Sequence, residues 1–424
     1  MTNFINAQSA NITLEVTVEN LSPENGAAIT PVWFGLHDGS FDTFEVGEAA
    51  SSGVMYLAED GVTGLEPTIP GVVEALIELG LNPEDLPPQE QTIAGIFADS
   101  SAAANGGTQG LVDSPESPLG IAPGQSLSAT VEISRNNLGN NRFFNYGAMF
   151  FPSNDAFVAN DDAIELFDEY GNFVGEDIII TGNDVWDAGT EVNDENPNNV
   201  PFGFDAVGDG IDENGTVQAH QGFQEPGTGG VLDFGGGAFA NADFTNSDAP
   251  IARIRINPVI NGTDDSDFIF GSKNREKIRG YDGNDFIFSR NGDDTVEGGA
   301  GRDRIFGNRG DDYLLGEGGR DKIFGGAGDD VIDGGLGNDR IWGNSGADQF
   351  VLRESNGRDT IFDYRDGVDS FVLADGLVFD DLTITQGVGR SVIEITDTSE
   401  KLATLIGVNA SELGIEDFNT AIEF

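Results

Sequence analysis

Five nonapeptides follow one another without a gap from Gly298 to Trp342: GGAGRDRIF, GNRGDDYLL, GEGGRDKIF, GGAGDDVID and GGLGNDRIW. Each places glycine first and fourth, aspartate sixth and a branched apolar residue eighth. Carboxylates held at a fixed interval are hard oxygen ligands, the type that hard divalent cations select. Two further acid clusters stand earlier in the chain. SNDAFVANDD supplies Asp155, Asp161 and Asp162, and NDVWDAGTEVNDE supplies Asp184, Asp187, Glu191, Asp194 and Glu195. Two such loops at strand ends can bring oxygens to one ion; on composition alone they read equally well as solvated surface.

The whole chain shares this acidity. It has 424 residues, 74 Asp and Glu against 20 Lys and Arg, and a formal net charge of −54. A surface of that sign repels nucleic acid and anionic lipid, which are held by Lys and Arg, and it attracts divalent cations. Residues 1–250 contain only two bases, Arg135 and Arg142, and the remaining 18 lie beyond them, which suggests at least two units. Cysteine is absent, so the shape must be held by packing or by metal. The stretch MTNFINAQSANITLEVTVEN lacks the basic and continuous apolar regions of a secretory signal, and no apolar run is long enough to span a bilayer.

The ninefold phase holds from Gly262 through Val351, giving ten repeats. The sixth position is aspartate in nine of them, at Asp267, Asp285, Asp294, Asp303, Asp312, Asp321, Asp330, Asp339 and Asp348, with Glu276 the exception. The eighth position is apolar in all ten. Positions one to six read as a turn that needs glycine, and positions seven to nine as a short strand whose middle residue points inward. Two repeats then make one coil of a right-handed parallel β-roll, stacking each repeat on the next but one. The expected partners are Asp285 with Asp303, Asp294 with Asp312, Asp303 with Asp321, Asp312 with Asp330, Asp321 with Asp339, and Asp330 with Asp348. GTDDSDFIF and GSKNREKIR lack the fourth-position glycine, so they should form a leading coil in which Asp267 is only a weak ligand.

In residues 1–258, NITLEVTVENL alternates, with Ile12, Leu14, Val16 and Val18 on one face. PVWFGLHDG, SATVEIS, NRFFNYGAMFFP, EDIIITG and IARIRINPV also read as strands between turn residues, and PGVVEALIELGL as one helix. The sum is an all-β chain: an antiparallel sandwich over 1–258, the roll over 262–351, and a capping β segment over 352–424, where SNGRDTIFDYRDGVDSFVLADGL, VGRSVIEITD and KLATLIGVN carry strand and turn signals. A stacked array must be capped because its last coil would otherwise expose apolar positions.

The nonapeptide pattern resembles the calcium-binding repeat of RTX (haemolysin-type) proteins. That resemblance implies several calcium ions held between stacked turns by the sixth-position aspartates and turn carbonyls. It also implies secretion to the exterior or cell surface by a type I exporter that reads an uncleaved C-terminal signal. MFFPSNDAFVAND, followed by VWDAGTEVND, is similar to the spondin N-terminal domain in its bacterial form, as are PVWFGLHDGSFDTFEVGEAAS and IARIRI. This second resemblance, over roughly residues 10–258, implies a sandwich with one calcium ion on Asp155, Asp187 and Glu191, and a partner in extracellular matrix, polysaccharide or the cell surface. Glu191 stands where that family often has Asp. The core of a β-roll is too thin to offset the ordering of so many glycines at about 1–2 kcal/mol per residue, so the array is expected to fold only with metal.

Signals for catalysis are sparse. The two histidines, His37 and His220, cannot form the paired zinc site of an HExxH helix, and no GxSxG elbow is present. The reading is a secreted, non-enzymatic calcium-binding protein that adheres through its sandwich. The alternatives are a surface-layer or biofilm component, or a hydrolase with an unrecognised site.

Overall fold

The structure, a computed structural model, describes residues 3–6, 11–24, 26–60, 91–113, 120–151, 156–188, 215–219 and 249–419. The chain divides into two compact units, Thr13–Ile256 and Met1–Ile12 with Asn257–Phe424. The expected boundary at 258 therefore falls inside the strand Pro250–Asn261, close to where the units divide.

Thr13–Ile256 is built on antiparallel sheets, as the alternating segments predict. One sheet runs in the order Gln218–Ala219, Val185–Asp187, Ala156–Ala159, Phe143–Phe151, Val32–His37, Thr108–Val112. In the other, Asn11–Asn20 lies between Ser126–Ser134 and Pro250–Asn261, and Ile178–Thr181 also pairs with the latter. Leu14, Val16 and Val18 are buried as their spacing requires. Three short helices, Ser52–Asp60, Ile93–Ala98 and Ser101–Ala104, have no long periodic signal in the sequence. The last two are set by caps: the Thr92 hydroxyl accepts from the Gly95 N–H and the Ser100 hydroxyl from the Ala103 N–H. Phe97 then packs edge-on against Trp33 at 5.6 Å between ring centres. The helix expected over PGVVEALIELGL lies outside the described residues.

The second unit is a parallel β-solenoid of about six turns over residues 259–373. Its strands pair at an offset of 18 residues, so each repeat stacks on the next but one, as expected: Ile287 lies beside Ile305, then Ile323 and Ile341. The alternate repeats form the opposite wall through Ile278, Val296, Leu314 and Ile332. The eighth-position residues are sealed from solvent and meet in one apolar core. At one end Asn3–Asn6 adds a parallel rung on Asp267–Phe270, with Phe4 stacked on Phe268 at 5.2 Å. At the other end Asp359–Ile361, Lys401–Ile406, Arg390–Ile395 and Leu382–Gly387 extend one wall, and Ser370–Leu373 with Phe418–Asn419 the other. These strands form the expected cap, described as far as Asn419.

The turn glycines do two jobs. All eight at position four have positive φ, from +109° at Gly292 to +159° at Gly337. A Cβ there would also strike the coil beneath, as at Gly319, where it would lie 1.4 Å from the Gly301 carbonyl oxygen. Position one is a matter of space, since a Cβ on Gly316 would lie 2.8 Å from the Asp321 Oδ2.

Gly319→Ala should therefore destabilise the roll by about 1–3 kcal/mol from backbone strain alone. A Cβ on its neighbour Gly318 would meet nothing within 4 Å, so Gly318→Ala should stay within about 0.5 kcal/mol of the parent. Calcium-saturated thermal unfolding of the two variants measures the difference.

Candidate metal centre

The sixth-position aspartates form two buried columns, one along each turn edge. In the first, the N–H of each aspartate donates to the Oδ1 of its counterpart one coil on: Asp267 to Asp285 (2.8 Å), Asp285 to Asp303 (2.7 Å), Asp303 to Asp321 (2.8 Å) and Asp321 to Asp339 (2.8 Å). In the second, Asp294 donates to Asp312 (2.9 Å), Asp312 to Asp330 (3.0 Å) and Asp330 to Asp348 (3.2 Å). All six expected pairs are brought together. Glu276 keeps the place of an aspartate, its N–H donating to Asp294 Oδ1 at 2.8 Å.

Each column runs one rung further than the ninefold count. Asp339 donates to Asp359 at 3.0 Å and Asp348 to Asp369 at 3.2 Å, at offsets of 20 and 21 residues. The longer connections break the phase. Even so, the unit of aspartate, any residue, apolar residue recurs as Asp359-Thr360-Ile361 and Asp369-Ser370-Phe371, a signal present in the sequence.

In seven of these carboxylates one oxygen is thus engaged by backbone, while the other is buried without a partner. This holds for the Oδ2 atoms of Asp285, Asp294, Asp303, Asp312, Asp321, Asp330 and Asp339. A buried, unpartnered carboxylate oxygen costs several kcal/mol unless a proton or a cation meets it. Among the described residues no three acidic or histidine side chains converge on one point. A cation here would take carboxylates from stacked turns and complete its shell with turn carbonyls, which suits the high coordination number of calcium.

The two edges differ in charge. At position five, the column containing Asp312 adds Asp293, Asp311 and Asp329. Their carboxylates accept from the N–H of Asp311 (2.8 Å), Asp329 (2.7 Å) and Ala347 (2.6 Å). The column containing Asp303 has Asn284, Arg302, Arg320 and Asn338 at that position. The acid-rich column also ends on a cation of the chain's own. Arg365 donates through Nη2 to Asp369 at 2.8 Å and to the Gly346 carbonyl, and lies 3.5 Å from Asp348. This guanidinium reaches the same types of oxygen, two aspartates and a turn carbonyl, that a metal would take between earlier coils.

Burial pushes these carboxyls far above their ordinary value of 3.8. Asp294 rises to about 9, with Asp312 and Glu276 adding repulsion; Asp303 and Asp330 rise to about 8, Asp312 and Asp321 to about 7, and Asp285 and Asp348 to about 6. Backbone N–H donation opposes the shift without reversing it.

In the other unit, Val185–Asp187 pairs with Ala156–Ala159 so that Asp187 stands opposite Ala156, the residue after Asp155. Asp187 is buried. Asp155 and Glu191 lie outside the described residues, as does His220. His37 is buried, with Nε2 at 2.7 Å from the Asn145 Oδ1 and Nδ1 accepting from the Gly39 N–H at 3.0 Å. Both ring nitrogens are engaged, and burial lowers its pKa, so it is a neutral packing residue.

Residues 261–296, 288–323 and 315–350 match the RTX calcium-binding nonapeptide repeat. The roll is therefore a calcium-binding array. A search of curated proteins finds no match to the chain. Among solved structures, the R2 subunit of the Azotobacter vinelandii mannuronan C5-epimerase AlgE6 is 23% identical over 30% of this chain and 94% of that one, with a TM-score of 0.23. The extracellular lipase LipA of Serratia marcescens is 18% identical over 39% of this chain and 42% of its own, with a TM-score of 0.18. The R3 subunit of AlgE6 is 22% identical over 38% of this chain and 81% of that one, with a TM-score of 0.17.

The raised values fix a pH dependence. Folding without metal binds protons that the unfolded chain, titrating near 3.8, gives up, so protonation favours the metal-free roll. Its stability is fullest below about 4 and is lost as pH rises through the range from about 6 to about 9 set by Asp285 and Asp294. Circular dichroism of chelated protein should show β signal at acid pH that fades across that range, while saturating calcium removes the dependence. Arg365→Met should raise the calcium concentration needed for half-folding, since it leaves Asp348 and Asp369 facing each other without their cation; a calcium titration followed by circular dichroism measures it.

Proposed function

We propose that this is a secreted calcium-binding protein, not an enzyme, whose roll folds when it meets extracellular calcium and whose sandwich attaches it to matrix, polysaccharide or a cell surface. The observation that carries this reading is the row of buried, unpartnered Oδ2 atoms in the two aspartate columns. On this reading Asp285, Asp294, Asp303, Asp312, Asp321, Asp330, Asp339 and Asp348 hold the ions, with Asp267 a weaker ligand at the leading end. All nine sixth-position aspartate N–H groups already hold the carboxylate of the next coil in place, so calcium meets a prearranged pair of turns.

Export through a type I system, which the resemblance of the repeats to RTX proteins implies, is compatible with the same chemistry. A chain whose stacked carboxylates repel stays threadable where calcium is scarce and locks where it is abundant. The sandwich is assigned as spondin-like from the NDAF and DAGTE motifs. Support comes from the antiparallel pairing of Val185–Asp187 with Ala156–Ala159, which makes the strands bearing the two motifs neighbours. Asp155, Asp187 and Glu191 would share one calcium ion there. Among the described residues no helix is long and apolar enough to cross a membrane.

The full-length protein at neutral pH should gain β signal and protease resistance on moving from chelator to millimolar calcium. Its retention on polysaccharide-coated cells should need calcium and fall on Asp187→Asn. Unchanged dichroism between chelator and calcium would overturn the folding switch, and retention indifferent to both calcium and Asp187→Asn would overturn the role given to the sandwich.

A further inference from the structure

We propose that the roll carries, on the outer face of one wall, a binding strip for an acidic polysaccharide, a site separate from the sandwich to which adhesion is ascribed above. Arg304, Lys322 and Arg340 are direct in-register neighbours on successive parallel strands. Arg302, Arg320 and Arg358 line the same groove, of about 560 Å³, together with Asn338 and Thr360. Five of these six cations are exposed and Lys322 is half-buried.

Their alignment without carboxylate partners is the telling feature; Arg304 lies over the Phe286 ring at 5.7 Å instead. The chain has 74 acids for 20 bases, so a carboxylate partner is available for every cation. Some cations elsewhere take such partners: Arg253 with Glu19, Arg255 with Asp177, Lys277 and Arg279 with Glu297, Arg353 with Asp333, Arg365 with Asp369. Among the described residues none of the six groove cations forms an ion pair. Like charges repeated at the strand spacing of roughly 4.8 Å repel and oppose folding. Left in register and facing solvent, they are explained by an anion that offsets the repulsion from outside.

The form of the strip selects the kind of anion. One cationic rung per strand spacing suits a linear polymer with a charge on each unit better than a compact ion. Beside the cations runs a column of rings, Phe288, Phe306, Phe324, Trp342 and Phe362, stacked at 4.7, 4.8, 4.5 and 4.3 Å between centres and within 11° of parallel. The rings cover one another's faces and leave only their electropositive rims. Nucleic-acid bases, which need open aromatic faces on which to stack, find no platform there. A uronate chain needs only cations for its carboxylates and donors such as Asn338 and Thr360 for its hydroxyls. Asp303, Asp321 and Asp339 also line the groove, so calcium bound by their column removes negative potential from it. The strip should therefore take its ligand best in the calcium-loaded protein.

The test uses the full-length, calcium-loaded chain and titrates it calorimetrically with short oligogalacturonate. The triple variant Arg304→Gln, Lys322→Gln, Arg340→Gln should bind about tenfold or more weaker, with a shallower salt dependence, while keeping the calcium-induced dichroism of the parent. The double variant Arg390→Gln, Lys401→Gln, in the C-terminal hairpin, should bind as the parent does, and neutral dextran should not bind. Failure of the parent to bind oligogalacturonate, equal binding by the triple variant, equal loss in the double variant, or equally tight binding of single-stranded DNA would each overturn the proposal. All of these variants lie in the roll unit, so none of these outcomes bears on the role given to the sandwich.

Discussion

The interaction on which the roll depends is the stacking of one buried carboxylate on another every 18 residues. It is favourable by half and unfavourable by half. Oδ1 is satisfied by the N–H of the coil before it, which fixes the register of the turns. Oδ2 is buried and alone, which makes the same stack unstable at neutral pH until a positive charge arrives. The rest of the turn serves this arrangement. Glycine at position one leaves room beside Oδ2, glycine at position four lets successive turns approach to carbonyl contact, and the eighth-position Ile, Val or Leu closes a core one side chain deep. Such a core and so many glycines do not hold a coil together unaided.

The charge on each edge shows that the two columns are not equivalent. One edge doubles its acids with Asp293, Asp311 and Asp329, whose carboxylates repeat the backbone acceptance of the inner column. The other edge places Arg302 and Arg320 beside its aspartates. Cations between coils should therefore be held more strongly on the first edge. That edge also ends on Arg365, a cation built into the chain, so its final rung is neutralised before any metal binds. The other edge ends on Asp359, which shares its environment with Asp339 and has a carboxyl pushed well above the ordinary range by burial and that neighbour. A roll that starts from the cap has one neutralised rung to build on, and the acid-rich edge supplies it.

The sequence is most legible where one residue answers to one constraint. Position six is aspartate because it points into the stack, and position eight is apolar because it alone points inward, so the phase, the 18-residue offset and all six carboxylate pairs follow from spacing. It is least legible where the constraint comes from elsewhere in the fold. Asn3–Asn6 carries no repeat signature and takes its place only because Asp267–Phe270 offers a free strand edge. Asp359 and Asp369 lose the ninefold phase through longer connections while keeping the apolar residue two positions on. The helices at Ile93–Ala98 and Ser101–Ala104 are too short for a period and depend on single caps at Thr92 and Ser100. Asp187 is singled out by resemblance, and its strand pairing beside Ala156 is what geometry adds.

The position of the bases now has a physical reading. Eighteen of the twenty fall after residue 250, and in an acidic chain they could have been spread to neutralise the nearest carboxylates. Some are used in that way, as Lys277 and Arg279 are on Glu297 and Arg353 is on Asp333. Others are held back into one register beside the inner aspartates of one edge, where they lower the local negative potential without touching the carboxylate oxygens. This keeps Oδ2 free for a metal while preventing that edge from becoming as acidic as its opposite. A salt bridge to those oxygens, of the kind Arg365 makes at the cap, would satisfy the carboxylates permanently and remove the need for calcium. Placing the cations at positions five and seven, on either side of an inward-pointing aspartate, is what lets a single turn remain both charge-balanced from outside and dependent on metal within.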